Sequence, residues 1–333
     1  MKRAYTYLII AAAAFVFAAS CAKEVTTDSK EELRDYFLAW MAANHPGVEP
    51  ESNGIYLLEE TTGAGLPYTG EEYYYAEITV ADVKGNISST YSEDLSKQLG
   101  TYQKAYYYGP KMAHSSSMNA GLYNILYGMQ RGGVRKAIIP FWMATYDRYD
   151  TQEEYFKNAS ATSSNAMYTV KLVDYATDVN KWEIDSLEYY FFKNYHYVPD
   201  SLSYGLYYFQ LTPPADNEEF PSDTIIYINY TGRLLNGQVF DTTIEDTAKV
   251  HNIYSSGKTY SPKKVDWSNE ASSITLENST VISGFYNTLF NMKKYEKGLC
   301  YFISKNGYSS SGSGNNIPPY SPLCFEIEIV DKP

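Results

Sequence analysis

Tyr227-Ile228-Asn229-Tyr230-Thr231-Gly232, followed by Asn236-Gly237-Gln238-Val239-Phe240-Asp241-Thr242-Thr243, reads as a strand that turns back on itself through a hairpin carrying Gly237. Upstream of it, Gly205-Leu206-Tyr207-Tyr208-Phe209 predicts a strand, and the stretch from about Trp182 to Tyr195 predicts a helix ended near Pro199. The same order occurs once before. Ser29-Lys30-Glu31-Glu32-Leu33 opens an apolar-periodic helix to about Asn44 that stops at His45-Pro46-Gly47. Gly54-Ile55-Tyr56-Leu57-Leu58 follows as a strand, and Tyr74 to Gly85 as a strand with its own hairpin turn. The copies are offset by 151 residues at the first strand and 152 at the hairpin.

Downstream the duplication continues. Ala120-Gly121-Leu122 to Met129 matches Ser283-Gly284-Phe285 to Met292, with Gly and Met eight residues apart in both copies. Leu122, Ile125, Leu126 and Met129 fall at i, i+3, i+4 and i+7, and Phe285, Leu289 and Met292 at i, i+4 and i+7. Each copy therefore predicts one amphipathic helix whose apolar stripe belongs to a core. Each closes with a strand, Tyr168 to Val173 or Leu323 to Val330. The expectation is an α+β fold of two tandem units, each an antiparallel sheet on a short helix, preceded by an extra helix.

At 333 residues the chain is long enough for about two domains, and its 44% apolar content excludes a disordered tail. Its 27 basic and 39 acidic residues give a net charge of −12, a field that repels phosphate backbones and argues against nucleic-acid binding. Tyrosine stands out, with 36 residues in runs such as Tyr73-Tyr74-Tyr75 and Tyr106-Tyr107-Tyr108. Such rings either fill half-buried strand positions or make contact surfaces of the glycan-stacking kind.

Lys2 and Arg3 precede an apolar run from Leu8 to Ala19, too short to span a bilayer but suited to a secretory signal. The run ends Phe17-Ala18-Ala19-Ser20-Cys21, which resembles a bacterial lipobox, so Cys21 is expected to be acylated and to anchor the chain to a membrane. The expected divisions are 1–20 signal peptide, 21–29 lipid-anchored tether, 30–177 helix and first unit, 178–203 linker helix, and 204–333 second unit. The location that follows is the bacterial cell envelope, outer membrane for preference, with the side it faces left open. Cys300 and Cys324 remain, and alternation in Leu323-Cys324-Phe325-Glu326-Ile327-Glu328-Ile329 puts Cys324 on the polar face, against a disulfide. Four scattered histidines suggest no metal site.

The second copy, read as a whole, resembles the FKBP-type peptidyl-prolyl cis-trans isomerases. The Tyr227–Gly232 and Asn236–Thr243 blocks are joined in order by Val281-Ile282-Ser283-Gly284-Phe285, Asn316-Ile317-Pro318-Pro319 and Leu323-Cys324-Phe325-Glu326-Ile327-Glu328. The resemblance implies a five-stranded antiparallel sheet wrapped around the short helix, an apolar pocket between them, and catalysis without cofactor or metal. It implies that Tyr230, Phe240, Phe285, Ile317 and Phe325 line the pocket, with Val281 and Ile282 at its edge and the Ile282 N–H holding the substrate carbonyl. Asp241 and the Tyr308 hydroxyl would orient the twisted amide. Departures from the family are Phe285 in place of Trp, Ser272 where a pocket aromatic is usual, and a long connection from Ile244 to Ala271 that could cover the pocket. The loop Ser309 to Gly314 keeps the family's length but not its composition.

In the first copy the 152-residue offset sets Ile78, Ser88 and Ser89 at the positions of Tyr230, Phe240 and Asp241, so its pocket chemistry is absent. The expected function is an envelope isomerase acting on proline-containing exported clients, the first unit holding or positioning them. The alternative is a noncatalytic binding lipoprotein that contacts proteins or glycans through its tyrosine-rich surfaces.

Overall fold

A strand with one covered face needs an apolar residue at alternate positions, and two ten-residue strands that organise this chain have it. Tyr74, Ala76 and Ile78 are buried along Tyr73–Asp82, and Ile226 and Ile228 along Ile225–Leu234. The computed structural model describes residues 30–160 and 163–333, so the signal, tether and Cys21 readings lie outside the described residues.

The N-terminal half runs from helix Lys30–Asn44 through β1 (Tyr56–Thr61), β2 (Ala64–Pro67), β3 (Tyr73–Asp82), β4 (Ile87–Thr90) and β5 (Lys111–His114). Helix Ala120–Leu126, β6 (Gln130–Arg131), β7 (Val134–Ile139) and β8 (Ala166–Ala176) complete it. The C-terminal half begins with helix Val179–Tyr195, then β9 (Ser201–Ser203), β10 (Leu206–Thr212), β11 (Ile225–Leu234), β12 (Val239–Thr242) and β13 (Lys263–Asp266). It ends with β14 (Thr275–Leu276), β15 (Ser279–Thr280), helix Ser283–Asn291, β16 (Lys297–Phe302) and β17 (Leu323–Val330).

Both sheets are antiparallel and share one strand order. The first runs β1-β7-β8-β3-β4 with β5 also on β3, and the second contains β10-β16-β17-β11-β12 with β13 also on β11. The sheets have six and nine strands rather than five. The sixth strand of each comes from the length of β3 and β11, which offer one end of an edge to the hairpin partner and the other to a strand from the long connection; in the second sheet β9 on β10 and β14 and β15 beyond β13 add three more. The registers superpose at the offset of 152. Thr79 faces Thr90 as Thr231 faces Thr242, and Tyr73 faces His114 as Ile225 faces Asp266. Both threonine pairs are joined by their hydroxyls, at 2.7 and 2.8 Å.

Each short helix presses a glycine onto the strand that follows it. A methyl on Gly121 would stand 2.3 Å from the Ile139 side chain, and one on Gly284 would stand 2.4 Å from the Phe302 ring. That close approach explains why glycine, poor in helices, stands at both positions.

The outer face of each sheet is covered by the preceding helix. Lys30–Asn44 buries Phe37 and Met41, with Phe37 edge-on to Tyr56 at 5.3 Å. Val179–Tyr195 starts at Asp178, whose carboxylate accepts from the Asn180 and Lys181 N–H groups, and ends at left-handed His196. It lays Leu187 and Phe191 on Tyr207, Phe209, Tyr301 and Cys324. This contact corrects the expectation for Cys324. Its face of β17 is the one opposite Phe325, but the helix covers that face and leaves Cys324 only 5% exposed. Cys300 pairs with Phe325 and faces the inner core, so the two sulfurs stand on opposite faces of the sheet and both thiols are free. Burial pushes both thiols up to about 12.

Candidate active site

The inner face of the second sheet, the Ser283–Asn291 helix and the segment between β16 and β17 enclose a cavity of about 390 Å³. All nine residues expected at a pocket line it: Tyr230, Phe240, Asp241, Val281, Ile282, Phe285, Tyr308, Ile317 and Phe325. Phe285 and Phe325 are almost wholly buried and form the floor, ring centroids 5.2 Å apart and near perpendicular. Tyr230 meets Phe285 edge-on at 5.6 Å, and Phe240 meets Phe325 at 5.5 Å. Behind them Phe302 stacks on Phe325, centroids 5.7 Å apart. Ile317 closes one side, its short loop tied by paired bonds between Ser313 and Ile317 at 2.8 and 3.1 Å.

Polar groups gather at one side of the mouth. The Tyr230 hydroxyl donates to Asp241 Oδ2 at 2.7 Å, and Lys258 donates to Asp241 Oδ1. Burial and the Asp241 charge push the Tyr230 hydroxyl well above the usual tyrosine range, so it remains a donor. Tyr308 is raised by the same two causes. The lining contains no histidine, lysine or cysteine, so the site is a largely apolar enclosure whose polar side chains are the Asp241 carboxylate, the Tyr230 and Tyr308 phenols, and Thr280, Ser313 and Asn316.

Three features escaped the sequence reading. Gly232 is required because a methyl there would stand 2.5 Å from the Phe240 ring and 2.8 Å from Phe325. Ser272 stands outside the pocket, exposed and bonded to Glu270, while Leu276 and Thr280 from β14 and β15 supply that wall. The long connection reaches the rim through Lys258 and supplies none of the lining residues. It also has a counterpart in the first copy. Tyr254 stacks on Tyr260 as Tyr102 stacks on Tyr108, and helices Glu245–Val250 and Glu93–Gln98 precede them at the same 152-residue offset. The spacing Tyr102, Tyr108, Pro110 against Tyr254, Tyr260, Pro262 was the available signal.

At the corresponding place in the N-terminal half, Val80 stands where Gly232 does and Tyr168 pairs with it as Phe325 pairs with Gly232. Asn119 caps the short helix through the Leu122 N–H at 2.8 Å, and its amide reaches the Tyr168 hydroxyl at 3.2 Å. Ile78 and Leu122 are buried, whereas Ser88 and Ser89 are exposed. Among the described residues, the Phe240 ring and the Asp241 carboxylate have no counterpart there, since Ser88 and Ser89 stand at those positions.

The C-terminal unit is thus an antiparallel sheet packed on a short helix with an aromatic cavity between them. Residues 217–330 match the family model described as FKBP-type peptidyl-prolyl cis-trans isomerase, and the C-terminal unit is a domain of that family. An FK506-binding protein of Neisseria meningitidis serogroup B is 29% identical over 105 residues, covering 32% of this chain and 76% of that protein. A macrophage infectivity potentiator of Trypanosoma cruzi is 27% identical over 103 residues, 31% of this chain and 40% of that protein. A Haemophilus influenzae relative is likewise matched over only 42% of its length. Among solved structures, FkpA from Escherichia coli aligns at 22% identity over 46% of this chain and 58% of its own, with a TM-score of 0.32.

Proposed function

We propose that the chain is a peptidyl-prolyl cis-trans isomerase of the bacterial cell envelope, acting through its C-terminal unit on X-Pro bonds of unfolded, exported clients. The convergence of Tyr230, Phe240, Phe285, Ile317 and Phe325 on one cavity, with Asp241 and Tyr308 at its mouth, carries this reading. Rotation about X-Pro is opposed by amide resonance, a barrier of about 18–20 kcal/mol, and the twisted bond has lost that resonance and much of its polarity. An apolar enclosure therefore favours the twisted state over the planar one, and the phenols and carboxylate orient it. Ile282, at the edge of the pocket, offers its N–H to the carbonyl of the residue before proline.

The N-terminal half, 30–177, is read as a second FKBP-like unit without the pocket, one that holds clients, and 178–203 as the helix joining it to the isomerase unit at 204–333. The matching registers and glycine contacts support this reading. The direct test is the purified chain on a short proline peptide. Cis-to-trans relaxation should run faster than its uncatalysed course of tens to hundreds of seconds at 25 °C. An unchanged relaxation would leave a noncatalytic binding protein.

Anchoring at Cys21 is part of the same proposal. Cys21→Ser should move the protein from the membrane to the soluble envelope fraction. Retention in the membrane with labelled fatty acid still incorporated would refute it.

A further inference from the structure

The isomerase cavity is open at the edges of two loops, and residues of the N-terminal half touch both. The Tyr107 N–H donates to the Asn315 carbonyl at 2.8 Å, and Asn316 and Ile317, next in the chain, line the cavity. On the other side Gln238, two residues before Phe240, donates its amide to the Ala105 carbonyl at 3.1 Å. The Tyr107 ring packs against the hydrophobic core of the C-terminal unit, and Tyr73 meets Tyr320 edge-on at 5.4 Å just beyond Pro318 and Pro319.

The segment that delivers these contacts is stiff by construction. Tyr102 and Tyr108 stack at 5.3 Å, the Tyr108 hydroxyl accepts from the Gln103 N–H at 2.9 Å, and the Tyr107 hydroxyl donates to the Pro110 carbonyl at 2.9 Å. The loop it meets is held by backbone bonds, Ser309 N–H to the Ser304 carbonyl, Ser313 and Ile317 to each other, and Tyr320 N–H to the Ser309 carbonyl. Ser309-Ser310-Ser311-Gly312-Ser313-Gly314 has no apolar side chain of its own to pack, and fixing each of its residues costs roughly 1–2 kcal/mol of backbone entropy. The matching loop of the C-terminal unit, with Tyr254 stacked on Tyr260, turns inward and gives Lys258 to Asp241 of its own pocket.

We infer that the Thr101–Pro110 loop of the N-terminal half is a strut for the isomerase pocket, with Tyr107 as the positioning residue that holds the Ile317 wall in place for the prolyl ring. The silent copy thus contributes to turnover of even the shortest substrate. This inference rests on the proposed activity for its kinetic effect, but the strut itself is a structural property that can be measured apart from it.

The experiment uses the full chain with Tyr107→Ala and Tyr107→Phe. Both variants keep the backbone donor to Asn315; Tyr107→Phe also keeps the ring packing and loses only the hydroxyl bond to the Pro110 carbonyl. Hydrogen exchange at the Ser313, Ile317 and Tyr320 amides, bonded at 2.8, 3.1 and 2.8 Å within the loop, reads the wall directly. In Tyr107→Ala these amides should exchange about tenfold faster while those of β16 and β17 keep their rates, and Tyr107→Phe should match the parent. With a short proline peptide, Tyr107→Ala should raise KM severalfold with a smaller change in kcat, and Tyr107→Phe should restore it. Unchanged exchange in Tyr107→Ala, or Tyr107→Phe as impaired as Tyr107→Ala, overturns the strut. A parent chain without isomerase activity whose loop still loosens in Tyr107→Ala leaves the strut standing and removes the catalytic reading instead.

Discussion

The full chain carrying Asp241→Ala together with Tyr308→Phe is expected to lose roughly 30- to 100-fold in kcat/KM on a proline peptide while remaining folded. In the proposed mechanism the two groups orient the twisted amide at the cavity they line, and hydrogen bonds to a charged partner are worth about 2–3 kcal/mol when lost, with each 1.4 kcal/mol a factor of ten. Folding should change little. The Asp241 side chain is 39% exposed and that of its ion-pair partner Lys258 34%, so screening by solvent makes that pair a minor stabiliser. Neither substitution removes an aromatic ring from the floor formed by Phe285 and Phe325. The measurement also locates the site. Ile78, Ser88 and Ser89 offer no replacement pocket, so residual activity near that of the parent would place catalysis outside the C-terminal cavity.

Glu183 carries the second large expectation. It lies on the buried side of the Val179–Tyr195 helix with no exposed surface, and its carboxyl accepts from the Ser304 N–H and, at 2.6 Å, from the Ser304 hydroxyl. Burial outweighs those two bonds and pushes its pKa from 4.5 up to about 7. Between those values the native state binds more protons than the unfolded state, so this contribution is full below about pH 4.5 and lost as pH rises through 7. The loss is on the order of 3 kcal/mol. Glu183→Gln keeps the shape and can hold the Ser304 contact without ionising. Urea midpoints should coincide near pH 4.5, and the variant should become the more stable by up to about 3 kcal/mol at pH 8. A difference between the two chains that stays flat across this range would show that Glu183 does not titrate there. Glu326, held low by Lys297 and Arg233 despite its burial, is present in both chains and cancels.

Much of this molecule follows from local pattern. The hairpin of Tyr227 to Thr243 is legible because alternation and an Asn-Gly turn act within a few residues of each other. The pocket residues are legible because one strand, one helix and one turn each carry part of a motif in fixed order. The 152-residue offset is legible because both copies keep the same hairpin, and the registers show that offset again as facing pairs.

What packs on the far side of an element is not written in that element. Cys324 alternates with apolar residues and so looks solvent-facing, yet a helix more than a hundred residues upstream covers its face of the sheet. Glu183 looks like an ordinary helix-surface acid until Ser304 is brought against it. Lys258 reads as a solvated charge in a long connection, and only the return of that loop to β12 sets it on Asp241. The sequence by itself determined the hairpin strands, the opening helix and the glycine-bearing helix of each unit, and which copy carries the pocket residues, because these depend on side-chain periodicity and residue type over short spans. Tertiary structure alone decided which faces are covered, which charges meet and that the Tyr107 loop of one copy lies against the pocket of the other, because those contacts join segments whose spacing in the chain carries no periodic signal.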